Sequence, residues 1–141
     1  MNVFLSHNSV DKAVVERIAE RLDDAGYEVW FDKWNLTPGD PWQEALEKAL
    51  EAASCVVVFL GTALGPWHHE ELRLALEDRV KGKKRVVPVL LPGAIKPEDR
   101  EIPRFLRRLG WVSFEHDGDD EAFYLLTRGI EGKPPGRRPR P

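Results

Sequence analysis

One cysteine, Cys55, is present among the 141 residues, so an internal disulfide is impossible and a reducing, cytoplasmic setting is expected. Long hydrophobic runs are also missing, since the longest, Cys55 to Leu60, is about a third of the roughly 20 residues that a membrane-spanning helix needs. The amino terminus has no basic segment of the kind that opens a signal peptide. Lys and Arg number 21 against 24 Asp and Glu, a net charge of −3. These absences argue against a membrane partner and against a dedicated nucleic-acid-binding protein.

The composition that remains is sufficient for one folded domain. Hydrophobic residues make up 42% of the chain and charged residues 32%, which excludes global disorder. The last ten residues, 132–141, are rich in Pro, Gly and Arg and contain no apolar anchor. They predict a flexible tail or linker after a domain that spans residues 1–131. A linker at this end leaves room for a further domain beyond residue 141.

Strand and helix patterns alternate along the chain. Short apolar or β-rich runs predict five strands, at Val3 to Leu5, Tyr27 to Asp32, Cys55 to Leu60, Val86 to Leu91, and Trp111 to Phe114. Between and after them, apolar residues at helical spacing predict helices over Asp11 to Ala25, from Asp40-Pro41 to about Ala53, over Trp67 to Val80, within residues 95 to 109, and over Asp120 to Ile130. This order predicts an α/β fold: a flavodoxin-like, five-stranded parallel sheet of order 2-1-3-4-5 with helices on both faces.

Asp40 and Pro88 bear on the limits of single elements. Asp40 is predicted to cap the second helix, with Pro41 in its first turn. Pro88 conflicts with its own strand, because proline lacks the N–H that a sheet interior uses. The apolar run Val86 to Leu91 nevertheless predicts a fourth strand.

The predicted topology itself locates a site. Ligands of such sheets bind outside the carboxyl ends of strands 1 and 3, where the strand order reverses. After strand 1 come Ser6, His7 and Asn8; after strand 3 comes a segment with Thr62 and Trp67. The third helix carries Glu70 and Glu71 in its first turns. The predicted site is therefore polar, aromatic and acidic.

Two other kinds of site are disfavoured. No glycine-rich phosphate loop of the G-x-G-x-x-G type follows strand 1, which argues against a dinucleotide-dependent redox enzyme. His68 and His69 are adjacent on a helix and point in different directions, and neither an H-E-x-x-H motif nor a cysteine pair accompanies them. No metal site is expected.

Four motifs in order resemble those of the TIR (Toll/interleukin receptor) domain family, over roughly residues 2 to 130. The first is Val3 to His7 with Asp11 following, and the second is Asp32 followed by Leu36-Thr37-Pro38-Gly39. The third is the strand Ser54 to Leu60 followed by a W-x-x-x-E-x-x-x-A pattern at Trp67, Glu71 and Ala75. The fourth is Val86 to Leu90, a strand in which the family tolerates proline.

The resemblance implies one of two functions. Bacterial-type members are similar to NAD+-cleaving enzymes, which release nicotinamide and ADP-ribose or a cyclic ADP-ribose in defence or cell-suicide signalling. NAD+ is then the substrate, and no cofactor is implied. Other members are non-catalytic adaptors that act by self-association. Because this chain has the helix glutamate, at Glu71, the enzyme is favoured and the adaptor remains the alternative.

Each candidate residue also has an ordinary interpretation. Glu71 is either the catalytic carboxylate or a solvated residue of a charged helix, and Trp67 either stacks on a flat ring or belongs to the core. Ser6, His7 and Asn8 either bind ribose and phosphate or simply cap a loop. Trp34 lies in a surface loop, Lys33 to Gly39, that resembles the family's self-association element. It either contacts the substrate and a second TIR domain or folds back over its own domain.

Overall fold

The computed structural model describes residues 1–61, 70–82, 84–94, 102 and 104–137, and of residues 70–75 it describes the backbone. Its five strands are β1 (Asn2–Ser6), β2 (Glu28–Trp30), β3 (Cys55–Leu60), β4 (Arg85–Leu90) and β5 (Val112–Ser113). Its helices are α1 (Lys12–Asp24), α2 (Asp32–Asn35), α3 (Trp42–Ala52), α4 (Glu70–Lys81), α5 (Arg104–Arg107) and α6 (Asp120–Glu131), with one 3-10 turn, Ser9–Asp11, before α1.

All four strand pairings are parallel, and the sheet order is β2-β1-β3-β4-β5. The predicted topology is therefore confirmed. The central strand β3 is buried at all six positions, as expected of a parallel strand covered on both faces.

The two faces of the sheet bury separate cores. Alternate strand residues such as Val57 and Phe59 pack with α1 and α6, whereas their neighbours Val56 and Val58 pack with α3, α4 and α5. This division follows from the two-residue period of a strand. It places α4 on the face opposite α1.

Pro88 sits in β4 without costing a ladder hydrogen bond. The Leu91 N–H donates to the Leu60 carbonyl of the β3 side at 2.9 Å. Because backbone direction alternates along a strand, the nitrogen of Pro88 points toward β5 instead. Among the described residues β5 pairs only with Val89 and Leu90. The missing N–H of proline thus falls just before that pairing begins.

Two local predictions need correction. Asp40 does not cap the second long helix, since α3 has Pro41 at its N-cap and no side-chain cap hydrogen bond. The Asp40 N–H instead closes a turn on the Thr37 carbonyl at 3.1 Å, with Gly39 at φ 93°, which leaves Asp40 one residue too early. The segment Lys33 to Gly39 is not all loop, because α2 forms its first half.

The start of the predicted tail lies against α6. Helix α6 ends at Glu131, and Gly132 follows with φ 69°, the left-handed conformation that ends many helices. Beyond it, Tyr124 donates its hydroxyl to the Pro135 carbonyl at 2.7 Å, and Arg128 Nε donates to the Pro134 carbonyl at 3.0 Å. Residues 138–141 lie outside the described part of the chain, and the division at residue 131 stays a prediction.

Candidate active site

The carboxyl ends of β2, β1 and β3 form one edge of the sheet, where the strand order reverses. His7 directly follows β1, Asp32 lies two residues after β2, and Gly61 directly follows β3. His7 Nε2 lies 3.6 Å from Asp32 Oδ1. The edge that topology predicts as a binding crevice is therefore lined by polar side chains from neighbouring strands.

Burial favours the neutral form of the His7 imidazole. Its side chain is only 4% exposed, and its ring lies 5.2 Å from that of Phe31. Burial lowers the pKa of His7 below its ordinary value, although the nearby Asp32 carboxylate acts in the opposite direction. Asp32 has its own cation, because Lys12 Nζ lies 3.0 Å from Asp32 Oδ2. Lys12 thus supplies the positive charge beside Asp32, and the contact does not require a charged His7.

Two buried polar atoms at the carboxyl end of β1 have no hydrogen-bond partner within the described residues. They are Ser6 Oγ and His7 Nδ1. Ser6 is the last residue of β1 and is 4% exposed, so it is a strand residue and not a loop residue. Buried polar groups are nearly always satisfied by protein, water or ligand. Ser6 Oγ and His7 Nδ1 are therefore the polar atoms of this edge at which a partner is expected.

Asn8 has a defined local role. Its side-chain oxygen accepts a hydrogen bond from the Val10 N–H at 3.2 Å and so caps the 3-10 turn. Of the two interpretations open for Asn8, capping is present in the structure. A contact between Asn8 and a substrate stays a prediction.

Asp11 is a feature of this edge that the sequence argument used only as part of a motif. It is 8% exposed, and its carboxylate lies against Gly61 so closely that a methyl group there would overlap it. A glycine is therefore needed directly after β3, because any side chain there would overlap the Asp11 carboxylate. Asp32 and Lys12 were likewise not predicted as site residues, although the position of Asp32 at the carboxyl end of the predicted second strand was a usable signal.

Trp34 lies on α2 and is anchored on its own domain. Its indole N–H donates to Glu16 Oε2 at 2.9 Å, and its ring meets that of Phe31 edge-on at 5.2 Å. Lys33 Nζ also contacts Glu16, at 2.8 Å. Trp34 is nevertheless 40% exposed, so part of the ring is available to a ligand or a partner.

Glu71 is the second residue of α4. The contacts of Arg79, near the other end of the helix, indicate which end of the sheet Glu71 lies toward. Arg79 donates to the Arg85 carbonyl at 3.3 Å, at the amino end of β4. Eight residues separate Arg79 from Glu71, about 12 Å along a helix. Because α4 runs back from the end of β3 to the start of β4, Glu71 lies toward the same edge as His7. Thr62 and Trp67 lie outside the described residues.

Arg79 itself was missed by the sequence argument. It is 6% exposed, and its guanidinium donates to the carbonyls of Leu50 and Ala53, at 3.1 and 3.2 Å, as well as to that of Arg85. Burial lowers the pKa of Arg79 from its ordinary value. One side chain thus ties the carboxyl end of α3 and the start of β4 to α4, and so fixes the helix that carries Glu71.

No three His, Cys, Asp or Glu side chains in the described ranges come together as possible metal ligands. In the part of the chain that the structure describes, no helix has the length and apolar character required to cross a membrane.

Residues 3–127, nearly the whole fold, match the family model for the TIR domain. The chain belongs to the TIR domain family. The resemblance drawn from the four motifs is therefore confirmed. A crystal structure of the TIR domain of the Toll-related receptor TRR-2 from Hydra magnipapillata superposes with a TM-score of 0.67 at 18% identity, over 92% of this chain and 97% of that one. At this identity the likeness establishes the fold.

Curated relatives of this TIR domain are similar over part of their length. The NAD(+) hydrolase PdTIR of Paracoccus denitrificans (strain Pd 1222) is 34% identical over 91 residues, which are 62% of this chain and 30% of that protein. The 2′ cyclic ADP-D-ribose synthase BtTIR of Bacteroides thetaiotaomicron is 30% identical over 89 residues, which are 61% of this chain and 31% of that protein. The matches thus span less than a third of each relative.

Proposed function

We propose that this TIR domain cleaves the bond between nicotinamide and ribose in NAD+, releasing nicotinamide and ADP-ribose or a cyclised form of it. The names of the two curated relatives support this substrate, one being a hydrolase of NAD+ and the other a synthase of a cyclic ADP-ribose. As part of the same proposal, the reaction takes place in the cytoplasm and serves defence signalling.

The observation that carries the proposal is the polar edge formed by the carboxyl ends of β1 and β3. It contains two unsatisfied buried polar atoms, Ser6 Oγ and His7 Nδ1, on the edge toward which the amino end of α4 is directed. An uncharged imidazole and a hydroxyl suit the hydroxyls of a ribose, because both can exchange hydrogen bonds without a strong charge preference. Asn8, Trp34, Thr62 and Trp67 complete the proposed substrate-binding residues.

The chemistry requires few protein groups. The nicotinamide of NAD+ is a cationic pyridinium that leaves as a neutral molecule, so no general acid has to protonate it. As the bond breaks, its electron pair stays with the ring nitrogen, and positive charge develops on the ribose. Water then attacks the ribose carbon and releases one proton to solvent; in cyclisation a hydroxyl of the same ADP-ribose replaces the water. We assign Glu71 to stabilise the developing charge electrostatically.

Release of nicotinamide by the purified chain tests the proposal, with Glu70→Gln as the matched control for Glu71→Gln. Each variant removes one carboxylate from the same turn of α4 with little change in side-chain shape. We expect Glu71→Gln to lower turnover about 100-fold, the loss of roughly 3 kcal/mol of transition-state stabilisation, and Glu70→Gln to matter far less. Full activity of a folded Glu71→Gln protein would refute the assignment of Glu71. A wild-type chain that releases no nicotinamide at any protein concentration would refute the enzyme.

Exposed aromatic and aliphatic side chains favour a second candidate, a module that acts by self-association with other TIR domains. Trp42, in the first turn of α3, is 58% exposed, and Val10 is 67% exposed. Interfaces are enriched in such aromatic anchors. Self-association without turnover is the outcome that would favour this adaptor function.

A further inference from the structure

A cavity of about 540 Å³ lies at the end of the sheet opposite the candidate active site. Its walls are the amino ends of β4 and β5 and the last turns of α6, including Val87, Trp111 and Gly129. Its volume is within the range of small-molecule sites, about 300 to 1,000 Å³. None of the residues proposed for NAD+ cleavage lines it.

The cavity is strongly basic in a chain whose net charge is negative. Lys84, Arg85, Arg128 and Lys133 line it, and among the described residues no carboxylate does. Lys133 has a distant contact, 3.7 Å from Glu131. Within the described residues, the other three cations form no ion pair with a carboxylate, so their charge is not neutralised locally.

Backbone carbonyls hold the two arginines in place. Arg85 donates from Nε and Nη2 to the Gly129 carbonyl, at 3.2 and 2.9 Å. Arg128 donates from Nε to the Pro134 carbonyl at 3.0 Å. These bonds orient both guanidinium groups and leave each of them further N–H donors, which is the arrangement that phosphate recognition uses.

Helix ends alone do not account for this charge. The carboxyl ends of α4 and α6 both lie near the cavity, and each contributes about half a negative elementary charge. The two ends together balance about one of the four cations. With Glu131 counted against Lys133, an excess of roughly two positive charges remains at the mouth of the cavity.

Trp111 gives the cavity a flat apolar surface beside these cations. Its indole N–H donates to the Leu106 carbonyl at 3.0 Å, which fixes the plane of the ring. The residue is half-buried, packs against the core around Leu106 and lines the cavity. A fixed, partly exposed tryptophan is suited to stack on a planar base.

We propose that this cavity binds a nucleotide carrying two or more phosphates, with the cations on the phosphates and Trp111 on the base. The proposal does not rest on the cleavage of NAD+, because it uses a different end of the sheet. It would give the domain a second nucleotide site, remote from the candidate active site.

ADP is the probe, and the indole N–H signal of Trp111 in a two-dimensional NMR spectrum is the local readout, assigned from a Trp111→Phe spectrum. The test variant is Lys84→Glu/Lys133→Glu, and its matched control is Lys48→Glu/Lys81→Glu, which makes the same change of net charge at exposed lysines outside the cavity. We expect ADP to shift the Trp111 signal and the test variant to weaken this binding by at least about tenfold. The control should keep the wild-type affinity.

Several outcomes would overturn the proposal. They are an unmoved Trp111 signal at millimolar ADP, equal weakening by the two double variants, and an ADP affinity no higher than that of adenosine or inorganic phosphate alone. An RNA oligonucleotide that displaces ADP and binds without regard to Trp111 would also overturn it, because the surface would then be a general polyanion patch. Circular dichroism of each variant establishes that the fold is intact.

Discussion

The carboxylate of Asp11 and the backbone of Gly61 are in direct contact, so the loop after β1 and the end of β3 form one continuous edge. No side chain fits at Gly61 while Asp11 keeps its place. The contact joins the carboxyl ends of β1 and β3, where the candidate site lies. Gly61 is needed because a side chain would not fit there, and not because its backbone has a positive φ.

Gly61→Ala should therefore destabilise the domain by about 1 to 3 kcal/mol, the usual cost of forcing an extra methyl into a packed site. Gly110→Ala is the control, because a Cβ at Gly110 meets nothing within 4 Å. Urea unfolding measures both. In the double variant Gly61→Ala/Asp11→Ala, the cost of the added methyl should largely disappear relative to Asp11→Ala alone. Additive effects of the two substitutions would show that the overlap is not the cause.

Arg79→Ala should cost about 3 kcal/mol of unfolding free energy, because three carbonyls on the chain segments around α3 and β4 lose their donor in a buried place. The control is Lys81→Ala, on the same helix, whose side chain is 72% exposed. Urea unfolding again provides the measurement. A loss below about 1 kcal/mol for Arg79→Ala would mean that water replaces the guanidinium without difficulty.

Cys55 should be inert toward thiol reagents in the folded protein. Burial raises the pKa of the Cys55 thiol to about 12, so roughly one thiol in 10⁴ is ionised at pH 8. A chromogenic disulfide reagent should react slowly with the native chain and rapidly in 6 M guanidinium, about the concentration that unfolds even very stable proteins. The matched control is Ser54→Cys/Cys55→Ala, which moves the thiol one residue along to an exposed position. Equal native rates for the two proteins would contradict the burial of Cys55.

Acid should destabilise the domain partly through His7. The pKa of His7 is lowered in the folded state by burial, whereas in the unfolded chain it is about 6.5. The unfolded state then binds more protons, so stability is complete above about pH 6.5 and is lost as the pH falls through the lowered folded pKa. Melting temperatures between pH 7.5 and pH 5 should fall more steeply for the wild type than for His7→Gln. The same slope in both proteins would contradict this, and His116→Gln controls for loss of an exposed histidine.

The sheet could be predicted from sequence because its signals are local. The six-residue apolar run of β3 and the helical spacing of α1 and α6 do not depend on distant residues. Helix α2 could not be predicted, since its four residues are stabilised by the contact of Trp34 with Glu16, 18 residues earlier. The burial of Arg79 was equally invisible. An arginine in the last turn of a charged helix is normally solvated, and its three acceptors come from other elements.

The candidate site, like the fold, could be predicted from the sequence only in part. Ser6 ends β1 and His7 follows it, and topology determines the position of this strand, so their place at the carboxyl edge was predictable. The hydrogen-bond partners of their side chains were not predictable, because these partners depend on how neighbouring elements approach a buried hydroxyl or imidazole. Asn8 illustrates the point, since the same polar side chain that suits a substrate also suits the cap of a 3-10 turn.

Trp34 offers the means to test whether the site is completed by a second subunit. Its indole is anchored by Glu16 and Phe31 yet 40% exposed, so the exposed part is held rigidly, as an interface anchor should be. If assembly completes the site, turnover per molecule rises with protein concentration, because mass action fills the assembled state. We expect that rise over a hundredfold range of concentration for the wild type, and a flat, low activity for Trp34→Ala.

Two further variants separate the roles of this tryptophan. Glu16→Gln keeps an acceptor for the indole N–H and should retain the concentration dependence. Trp42→Ala removes an exposed tryptophan from α3, outside the Glu16–Trp34 contact, and reports whether any exposed aromatic has the same effect. If activity is independent of concentration in the wild type and unchanged in Trp34→Ala, each monomer carries a complete site. The exposed face of Trp34 then has no part in assembly.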